Sequence, residues 1–213
     1  MSHENVTDVY FDFLCPYAWR GLELAATLRA QGESFRLRHY SLVEGNHAEN
    51  ARELSWRLTG QQLGEGSANQ QGSLQAFLAA HAAARQGEEA LWAFTLALYR
   101  AVHEAKRPLA AETIRAAASE AGLDVARLDA DLADEAALRA ELRADLDAAR
   151  EVGVFGTPTF VLPTGEAAYY RFETLTRDPG TARAWWELYR TVLTSEAEIG
   201  TIKRARNRPP RRA

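Results

Sequence analysis

The start of the chain switches between two patterns of apolar and polar positions. Apolar side chains alternate along residues 6–13, VTDVYFDF, which predicts a β-strand at the centre of a sheet. From Pro16 to Gly32 they recur at helical spacing, with proline in the first turn and glycine as a stop signal, which predicts a helix. Alternation returns at residues 35–42, FRLRHYSL, and predicts a second strand. These three elements together predict a βαβ unit with a right-handed crossover.

The middle of the chain predicts a long helical insertion. Residues 44–73 are polar and rich in glycine, which predicts a surface excursion with a short helix around residues 51–58. From Ser73 to about Val152 apolar residues recur at helical spacing, and interruptions at Pro108 and at the GLD that begins with Gly122 divide this stretch into successive helices. We therefore expect a helical subdomain inserted into an α/β chain.

The last third of the chain predicts a hairpin and a closing helix. TFVL at residues 159–162 and AYYRF at residues 168–172 have strand character, and the proline and glycine between them favour a hairpin. Asp178 and Pro179 then begin a helix. Its predicted buried stripe consists of Trp185, Leu188, Tyr189 and Val192.

The resulting order of elements is βαβ, helices, ββα, and it predicts the division of the chain. Residues 1–45 and 152–213 form the α/β domain, and residues 46–151 form the inserted all-helical subdomain. A length of 213 residues with 46% hydrophobic residues is compatible with one globular domain that carries such an insertion.

Charge and hydropathy exclude several classes of function. The chain has no apolar run of about eighteen residues and no basic segment followed by an apolar one near its start, so we expect neither a membrane span nor a secretory signal. A cytoplasmic location follows as an expectation. The formal net charge of -4 argues against nucleic-acid binding. The basic C-terminal run IKRARNRPPRR is typical of a solvated tail or of a docking surface for an acidic partner.

Candidate chemistry begins with the only cysteine of the chain. Cys15 lies between the first strand and the first helix and is followed at once by Pro16. Backbone N–H groups and the helix dipole at such a position favour a thiolate, although isolated cysteines are often buried and inert. A single cysteine allows no internal disulfide and no multi-cysteine zinc site.

The other polar residues predict less chemistry. Arg36 and Arg38 are expected on the solvent side of the second strand. The sequence predicts no metal site, because no paired ligand spacing relates His39, His47, His81 and His103.

Two local sequences resemble a known family. FDFLCPYAW, residues 11–19, resembles the CPxx active-site turn after the first strand of the DsbA family. VGVFGTPTF, residues 152–160, resembles that family's GVxGTPTF segment, in which the peptide bond before proline is cis. The resemblance covers nearly the whole chain and includes the cytoplasmic subgroup with FrnE and mycothiol-dependent nitroreductases. It implies a thioredoxin fold (βαβ–ββα) with an inserted all-helical subdomain, as in DsbA.

The resemblance also implies a two-sided site. Cys15 is the expected catalytic nucleophile, and Asp12 is expected to brace the turn rather than to react. Thr157, the residue before the cis proline, would offer its backbone to a thiol-bearing partner. The residues expected to bind the thiol or the substrate are Pro16, Tyr17, Ala18, Phe155, Gly156, Thr157 and Pro158.

Departures from the family pattern narrow the chemistry. Ala18 stands where a resolving cysteine would complete CPxC, and Val9 stands where DsbA and thioredoxin carry a buried acid. An internal dithiol–disulfide cycle is therefore excluded, and a monothiol mechanism remains. Kappa-class glutathione transferases and 2-hydroxychromene-2-carboxylate isomerases share the FDFxxPY pattern, usually with serine at the position of Cys15.

Three functions follow from these features. The first is a cytoplasmic thiol-dependent oxidoreductase or thiol transferase with a lone nucleophilic cysteine. The second is an isomerase that uses a bound thiol cofactor, and the third is a non-catalytic binding module. We expect no permanently bound cofactor, a low-molecular-weight thiol such as glutathione, bacillithiol or mycothiol as partner, and a small electrophile or disulfide as substrate. Nucleic acid and membranes are not expected as partners, and a homodimer stays open.

Overall fold

The computed structural model describes residues 5–202 and contains one mixed four-stranded sheet. Its strands are β1 (Thr7–Phe11), β2 (Phe35–His39), β3 (Thr159–Val161) and β4 (Ala167–Tyr169). They lie in the order β2-β1-β3-β4, with β1 parallel to β2 and antiparallel to β3, and with β3 antiparallel to β4. The first strand is therefore central, and the predicted thioredoxin-type arrangement is confirmed.

Helices account for most of the remaining described residues. They are α1 (Pro16–Arg29), α2 (Leu42–Gly45), α3 (Ala68–Ala84), α4 (Glu88–Tyr99), α5 (Ala111–Glu120), α6 (Val125–Leu132), α7 (Glu135–Val152) and α8 (Pro179–Leu193). A π-helical turn, Arg100–Glu104, continues α4. The predicted interruption after Gly122 is present. The side chain of Asp124 accepts a hydrogen bond from the backbone N–H of Arg127 and so caps the start of α6. None of these helices combines the length and apolar character needed to cross a membrane.

The prediction of a short helix around residues 51–58 is wrong. The segment instead contains two short 3₁₀ turns, Ala48–Asn50 and Leu58–Gly60. The side chain of Asn50 explains the difference, since its Oδ1 accepts from the backbone N–H groups of Ser55 and Trp56. A side-chain amide therefore satisfies backbone groups that a helix would have paired with each other.

The predicted stripe of α8 is also partly wrong. The buried residues of this helix are Ala182, Trp186 and Tyr189, whereas Leu188 is 55% exposed. The ring of Trp186 packs edge to face against Phe35, with ring centroids 5.2 Å apart. Contact with β2 therefore decides which face of α8 is buried, and periodicity alone did not show it.

The sheet and the helical segment share one hydrophobic core. Phe13, just after β1, packs between the rings of Phe77 on α3 and Phe94 on α4, at centroid distances of 5.8 and 6.3 Å. The residue that begins the cysteine turn therefore packs against the helical segment. The charged part of the C-terminal basic run lies outside the described residues.

Candidate functional site

Cys15 caps the N-terminus of α1, as the sequence predicts. Its Sγ accepts a hydrogen bond from the backbone N–H of Ala18 at 3.4 Å, and Pro16 occupies the first helical position. On its other side Sγ lies 3.2 Å from the backbone oxygen of Thr157, and the peptide bond between Thr157 and Pro158 is cis. The two sequence segments that carry the family resemblance therefore meet at one sulfur atom. The cysteine is only 6% exposed.

Gly21 allows helix α1 to approach the proline closely. A Cβ atom at this position would lie 2.7 Å from Cγ of Pro158, which is shorter than ordinary van der Waals contact. Glycine weakens a helix interior, so its position in α1 reflects this approach. Gly21 was not predicted from the sequence as part of the site. A glycine within an otherwise helical segment was the available signal.

Asp12 braces the turn between β1 and α1. Its carboxylate accepts hydrogen bonds from the backbone N–H groups of Leu14 at 2.8 Å and Leu42 at 2.7 Å. Its own backbone oxygen accepts from the N–H of Cys15 at 2.9 Å. Burial raises the pKa of Asp12 to about 6, because loss of water outweighs the two backbone hydrogen bonds.

Two residues from α4 and its π-helical extension hold the same turn. The hydroxyl of Tyr99 donates to the backbone oxygen of Asp12 at 2.7 Å, and His103 Nε2 donates to the backbone oxygen of Phe13 at 2.7 Å. The His103 ring also stacks on Trp19, with centroids 6.0 Å apart. Burial lowers the pKa of His103, which keeps this donor neutral. Neither residue was predicted from the sequence to support the site, because no local pattern links them to the cysteine.

Aromatic and cationic side chains form the mouth of the site. The guanidinium of Arg171 lies 3.8 Å from the ring centroid of Tyr17, and that of Arg20 lies 5.3 Å away. Phe155 is 74% exposed and contacts Tyr169 at a centroid distance of 5.7 Å. Arg171 also forms an ion pair with Glu173 at 3.2 Å, so the mouth offers mainly exposed aromatic surface, together with the charge of Arg20, to a ligand that approaches the sulfur.

An open groove of ≈ 490 Å³ lies beside the cysteine turn. Leu14, the residue before the cysteine, forms one side, and residues of α2 and the beginning of α3 form the other. The lining consists of apolar and neutral polar groups together with His47, whose ring stacks on Trp56. The groove is therefore suited to a small molecule with few charges.

Glu23 lies on the buried side of α1 and is held by two arginines. Arg100 and Arg177 each donate two hydrogen bonds to its carboxylate, at 2.8 and 2.9 Å and at 3.0 and 2.7 Å. Burial opposes ionisation of Glu23, but these two arginines outweigh it and lower the pKa to about 2. The network connects α1 to the π-helical turn and to the segment before α8.

The structure also brings together histidines that the sequence did not relate. His39, His81 and Asp145 each offer one ligand atom, and these three atoms all lie within 4.8 Å of one another. Arg38, expected on the solvent side of β2, instead forms an ion pair with Asp145 at 3.0 Å. A buried carboxylate on α7 draws this arginine inward, which alternation along the strand did not indicate.

These features define a class of protein. The chain is a thioredoxin-fold protein with helices between its second and third strands, a thiol at the N-terminus of α1 and a cis proline before β3. A family profile described as DSBA-like thioredoxin domain matches residues 6–177, so the chain belongs to this family.

Solved structures agree with the fold. Cytosolic disulfide reductase DsbM from Pseudomonas aeruginosa, determined with GSH, has a TM-score of 0.58 at 20% identity, over 86% of this chain and 98% of that one. A probable DsbA oxidoreductase from Streptomyces coelicolor has a TM-score of 0.57 at 20% identity, over 95% and 94%. A 2-hydroxychromene-2-carboxylate isomerase has a TM-score of 0.58 at 17% identity, over 92% and 100%. A search of curated protein sequences gives no match.

Proposed function

We propose that the protein is a thiol-dependent oxidoreductase or thiol transferase in which Cys15 is a lone nucleophile. The main support for this proposal is the position of Sγ between the Ala18 N–H, at 3.4 Å, and the Thr157 backbone oxygen, at 3.2 Å. The N–H stabilises a thiolate, and the oxygen accepts the S–H of a thiol. The sulfur therefore has a partner in each of its two protonation states.

The proposed reaction has two thiol–disulfide exchanges. In the first, the Cys15 thiolate attacks one sulfur of a disulfide substrate, the S–S bond breaks, and the other sulfur leaves as a thiolate. In the second, an external thiolate attacks the mixed disulfide, forms a new disulfide with the substrate fragment, and restores the Cys15 thiolate. An external thiol is required because Ala18 cannot supply a resolving sulfur.

The proposed second thiol is a low-molecular-weight thiol with an anionic group, such as glutathione, bacillithiol or mycothiol. Its backbone or amide groups would pair with Thr157 beside Pro158, while Arg20 at the mouth would attract its negative charge. The DsbM structure, determined with GSH, supports this choice. No permanently bound cofactor is part of the proposal, and its cellular setting is the reducing cytoplasm.

The proposed substrate is a small disulfide or electrophile rather than nucleic acid or a membrane. In the proposed division, residues 1–45 and 152–213 form the thioredoxin-fold domain and residues 46–151 the inserted helical subdomain. The groove beside Leu14 would then lie at their junction, and its neutral lining suits a small molecule. Pro16, Tyr17, Phe155 and Gly156 would line the approach to the sulfur.

A second candidate is a thiol-cofactor-dependent isomerase. It is favoured by the capping role of Cys15, because a serine hydroxyl at this position would also accept the Ala18 N–H without forming a covalent adduct. The fold shared with the 2-hydroxychromene-2-carboxylate isomerase is compatible with it. In this case Cys15→Ser keeps activity, and the thiol cofactor remains necessary.

Intact mass spectrometry after exposure to oxidised glutathione tests the leading proposal. We expect one glutathione adduct on the wild-type protein, its removal by excess reduced glutathione, and no adduct on Cys15→Ser. Absence of an adduct on folded wild-type protein whose Cys15 is alkylated by iodoacetamide would overturn the nucleophile assignment.

The variant Ala18→Cys tests the geometry separately. A sulfur at this position starts from a backbone already in contact with Sγ of Cys15, so oxidation should form an internal disulfide. Thiol counting before and after oxidation measures it, with Ala25→Cys, on the same helix farther from Cys15, as the control. Equal resistance of both variants to disulfide formation would contradict the proposed active-site geometry.

A further inference from the structure

A second polar cluster lies outside the thiol site, where β2 meets α3 and α7. His39 is the last residue of β2, His81 lies on α3, and Asp145 lies on α7. One nitrogen from each histidine and one carboxylate oxygen lie within 4.8 Å of one another. His39 has only 3% of its side chain exposed, and Asp145 is also buried. Three separate elements therefore bring ligating atoms to one buried point.

The hydrogen bonds of this cluster leave one buried ring nitrogen of His81 without a partner among the described residues. His39 Nδ1 lies 2.8 Å from Asp145 Oδ2, and His81 Nε2 lies 3.8 Å from the same oxygen. The other nitrogen of His81, Nδ1, faces Oε2 of Glu141 at 3.4 Å. At 3.8 Å from Asp145 Oδ2, the buried Nε2 of His81 is too far for a hydrogen bond, and it has no other partner among the described residues. Buried ring nitrogens are normally paired, so this atom lacks a partner that the described residues do not supply.

A cation between these atoms would give the unpaired nitrogen of His81 a partner. We infer that His39, His81 and Asp145 form a binding site for a divalent cation of the zinc type, with two imidazole nitrogens and one carboxylate oxygen as ligands. Neutral imidazole and carboxylate are ordinary zinc ligands. Bonds of about 2.0–2.1 Å at tetrahedral angles require ligand atoms roughly 3.3 Å apart. The observed separations from Asp145 Oδ2, 2.8 and 3.8 Å, lie on either side of that value.

The residues around the cluster match the outer shell of such a site. Glu141 faces the nitrogen of His81 that would not bind the ion, which is the carboxylate–histidine arrangement that raises ligand basicity. Arg38 Nη1 holds Asp145 Oδ1 at 3.0 Å, and its positive charge reduces affinity for a cation. Oδ2 accepts the backbone N–H of His39 at 3.2 Å, which leaves one lone pair of this oxygen for the ion. The ion would connect β2 to α3 and α7 through three protein ligands, with water in the fourth position, and it would take no part in the proposed thiol chemistry.

Metal binding by the cysteine must be removed before this site is tested. All variants are therefore made in the Cys15→Ser background and titrated with Zn²⁺ alone, followed by dialysis and elemental analysis. We expect one zinc ion per chain and a rise in the thermal midpoint. Co²⁺ in place of Zn²⁺ should give the visible absorption of a four-coordinate site without a sulfur charge-transfer band.

His81→Gln removes one ligand and should abolish both the bound ion and the thermal shift. His47→Gln is the matched control, since His47 is a histidine elsewhere in the described chain and should keep the full stoichiometry. If His81→Gln fails to fold, Glu141→Gln decides, because loss of an outer carboxylate should weaken zinc binding about tenfold or more while the fold is kept. Less than one bound ion in the Cys15→Ser protein, or unchanged affinity in folded His81→Gln or Glu141→Gln, would overturn the inference.

Discussion

Two buried carboxylates on either side of Cys15 in the chain have opposite electrostatic environments. Asp12 accepts hydrogen bonds only from backbone N–H groups, and burial raises its pKa to about 6. Glu23 is buried too, but Arg100 and Arg177 overcome the cost of burial and lower its pKa to about 2. The two side chains have the same chemical group and similar exposure, so the nature of the partner decides the sign of the shift.

These opposite pKa shifts make Glu23 a permanent structural charge and Asp12 a group that titrates. Glu23 stays ionised at neutral pH and connects α1 to two other segments through its arginines. Asp12 changes protonation close to neutrality, and it contacts the backbone of the turn that carries Cys15. Backbone N–H dipoles orient this carboxylate without compensating fully for its lost hydration.

Substitution of Glu23 should have the largest effect. Glu23→Gln leaves two arginines facing a neutral amide, and breaking a buried ion pair on one side costs about 3 kcal/mol of unfolding free energy. Urea denaturation at neutral pH measures the change. Asp129→Asn is the control, since Asp129 pairs with the exposed Arg115 and should change stability little. Equal losses in the two variants would contradict the assignment of Glu23 as the centre of the network.

Glu23 should also define the acid limb of the stability curve. Its folded pKa of about 2 lies below the ordinary value of 4.5, so its contribution is fully present above about 4.5 and is lost as pH falls toward 2. Glu23→Gln should flatten this limb in denaturation curves measured from mildly to strongly acidic pH. An unchanged slope would show that other carboxyl groups carry the acid sensitivity.

Asp12 should make the free energy of unfolding depend on pH in the opposite direction. Its folded pKa of about 6 lies above the ordinary 3.8, so stability is highest below about 4 and falls as pH rises to about 6. A shift of roughly two units corresponds to a change of up to about 3 kcal/mol. Asp12→Asn should remove this slope in urea denaturation measured across the same range. It should also lower stability overall, because an amide cannot accept both backbone hydrogen bonds.

Loss of a single arginine should have a smaller effect than loss of Glu23. Arg177→Met removes two of the hydrogen bonds to Glu23 but leaves both bonds from Arg100. Because Arg177 is partly exposed, we expect a loss of about 1 kcal/mol, and the pKa of Glu23 should rise toward its ordinary value. Urea denaturation at neutral and acidic pH tests both effects. A loss as large as that of Glu23→Gln would mean that the arginines do not act separately.

The sequence predicted the residues around the sulfur better than the residues that support them. Strand alternation, a proline after Cys15 and the GTP segment are local signals, and they correctly indicated the central strand, the helix start and the meeting of Cys15 with Thr157. The contact of Glu23 with Arg100 and Arg177 joins three distant segments. No periodicity within one helix indicates such a contact.

The errors of prediction arise from side-chain contacts that periodicity does not indicate. Burial of Trp186 instead of Leu188 follows from packing against β2, and the lost helix at residues 51–58 follows from the side chain of Asn50. Gly21 was visible in the sequence, but only the position of Pro158 explains it. Tertiary contacts decided the burial of Trp186 and the position of Gly21, whereas a local side-chain hydrogen bond decided the structure of residues 51–58.

The hydrogen bond from Tyr99 restrains the backbone of Asp12 rather than its carboxylate. Tyr99→Phe removes the hydrogen bond from the hydroxyl to the Asp12 backbone oxygen, 2.7 Å long, and should cost about 1 kcal/mol. The pH slope assigned to Asp12 should persist, because the carboxylate keeps both of its donors. The rate of glutathione adduct formation on Cys15 should nevertheless fall, since the turn that orients the sulfur is less restrained.

Tyr189→Phe is the matched control for this last prediction. Its hydroxyl is also buried and contacts backbone oxygens, those of Phe160 at 3.0 Å and Ala168 at 3.2 Å, away from the cysteine turn. It should lose comparable stability while adduct formation on Cys15 stays unchanged. If both variants slow adduct formation equally, general loosening of the fold explains the effect. If only Tyr99→Phe does, α4 acts on the sulfur through the backbone of Asp12, independently of that residue's charge.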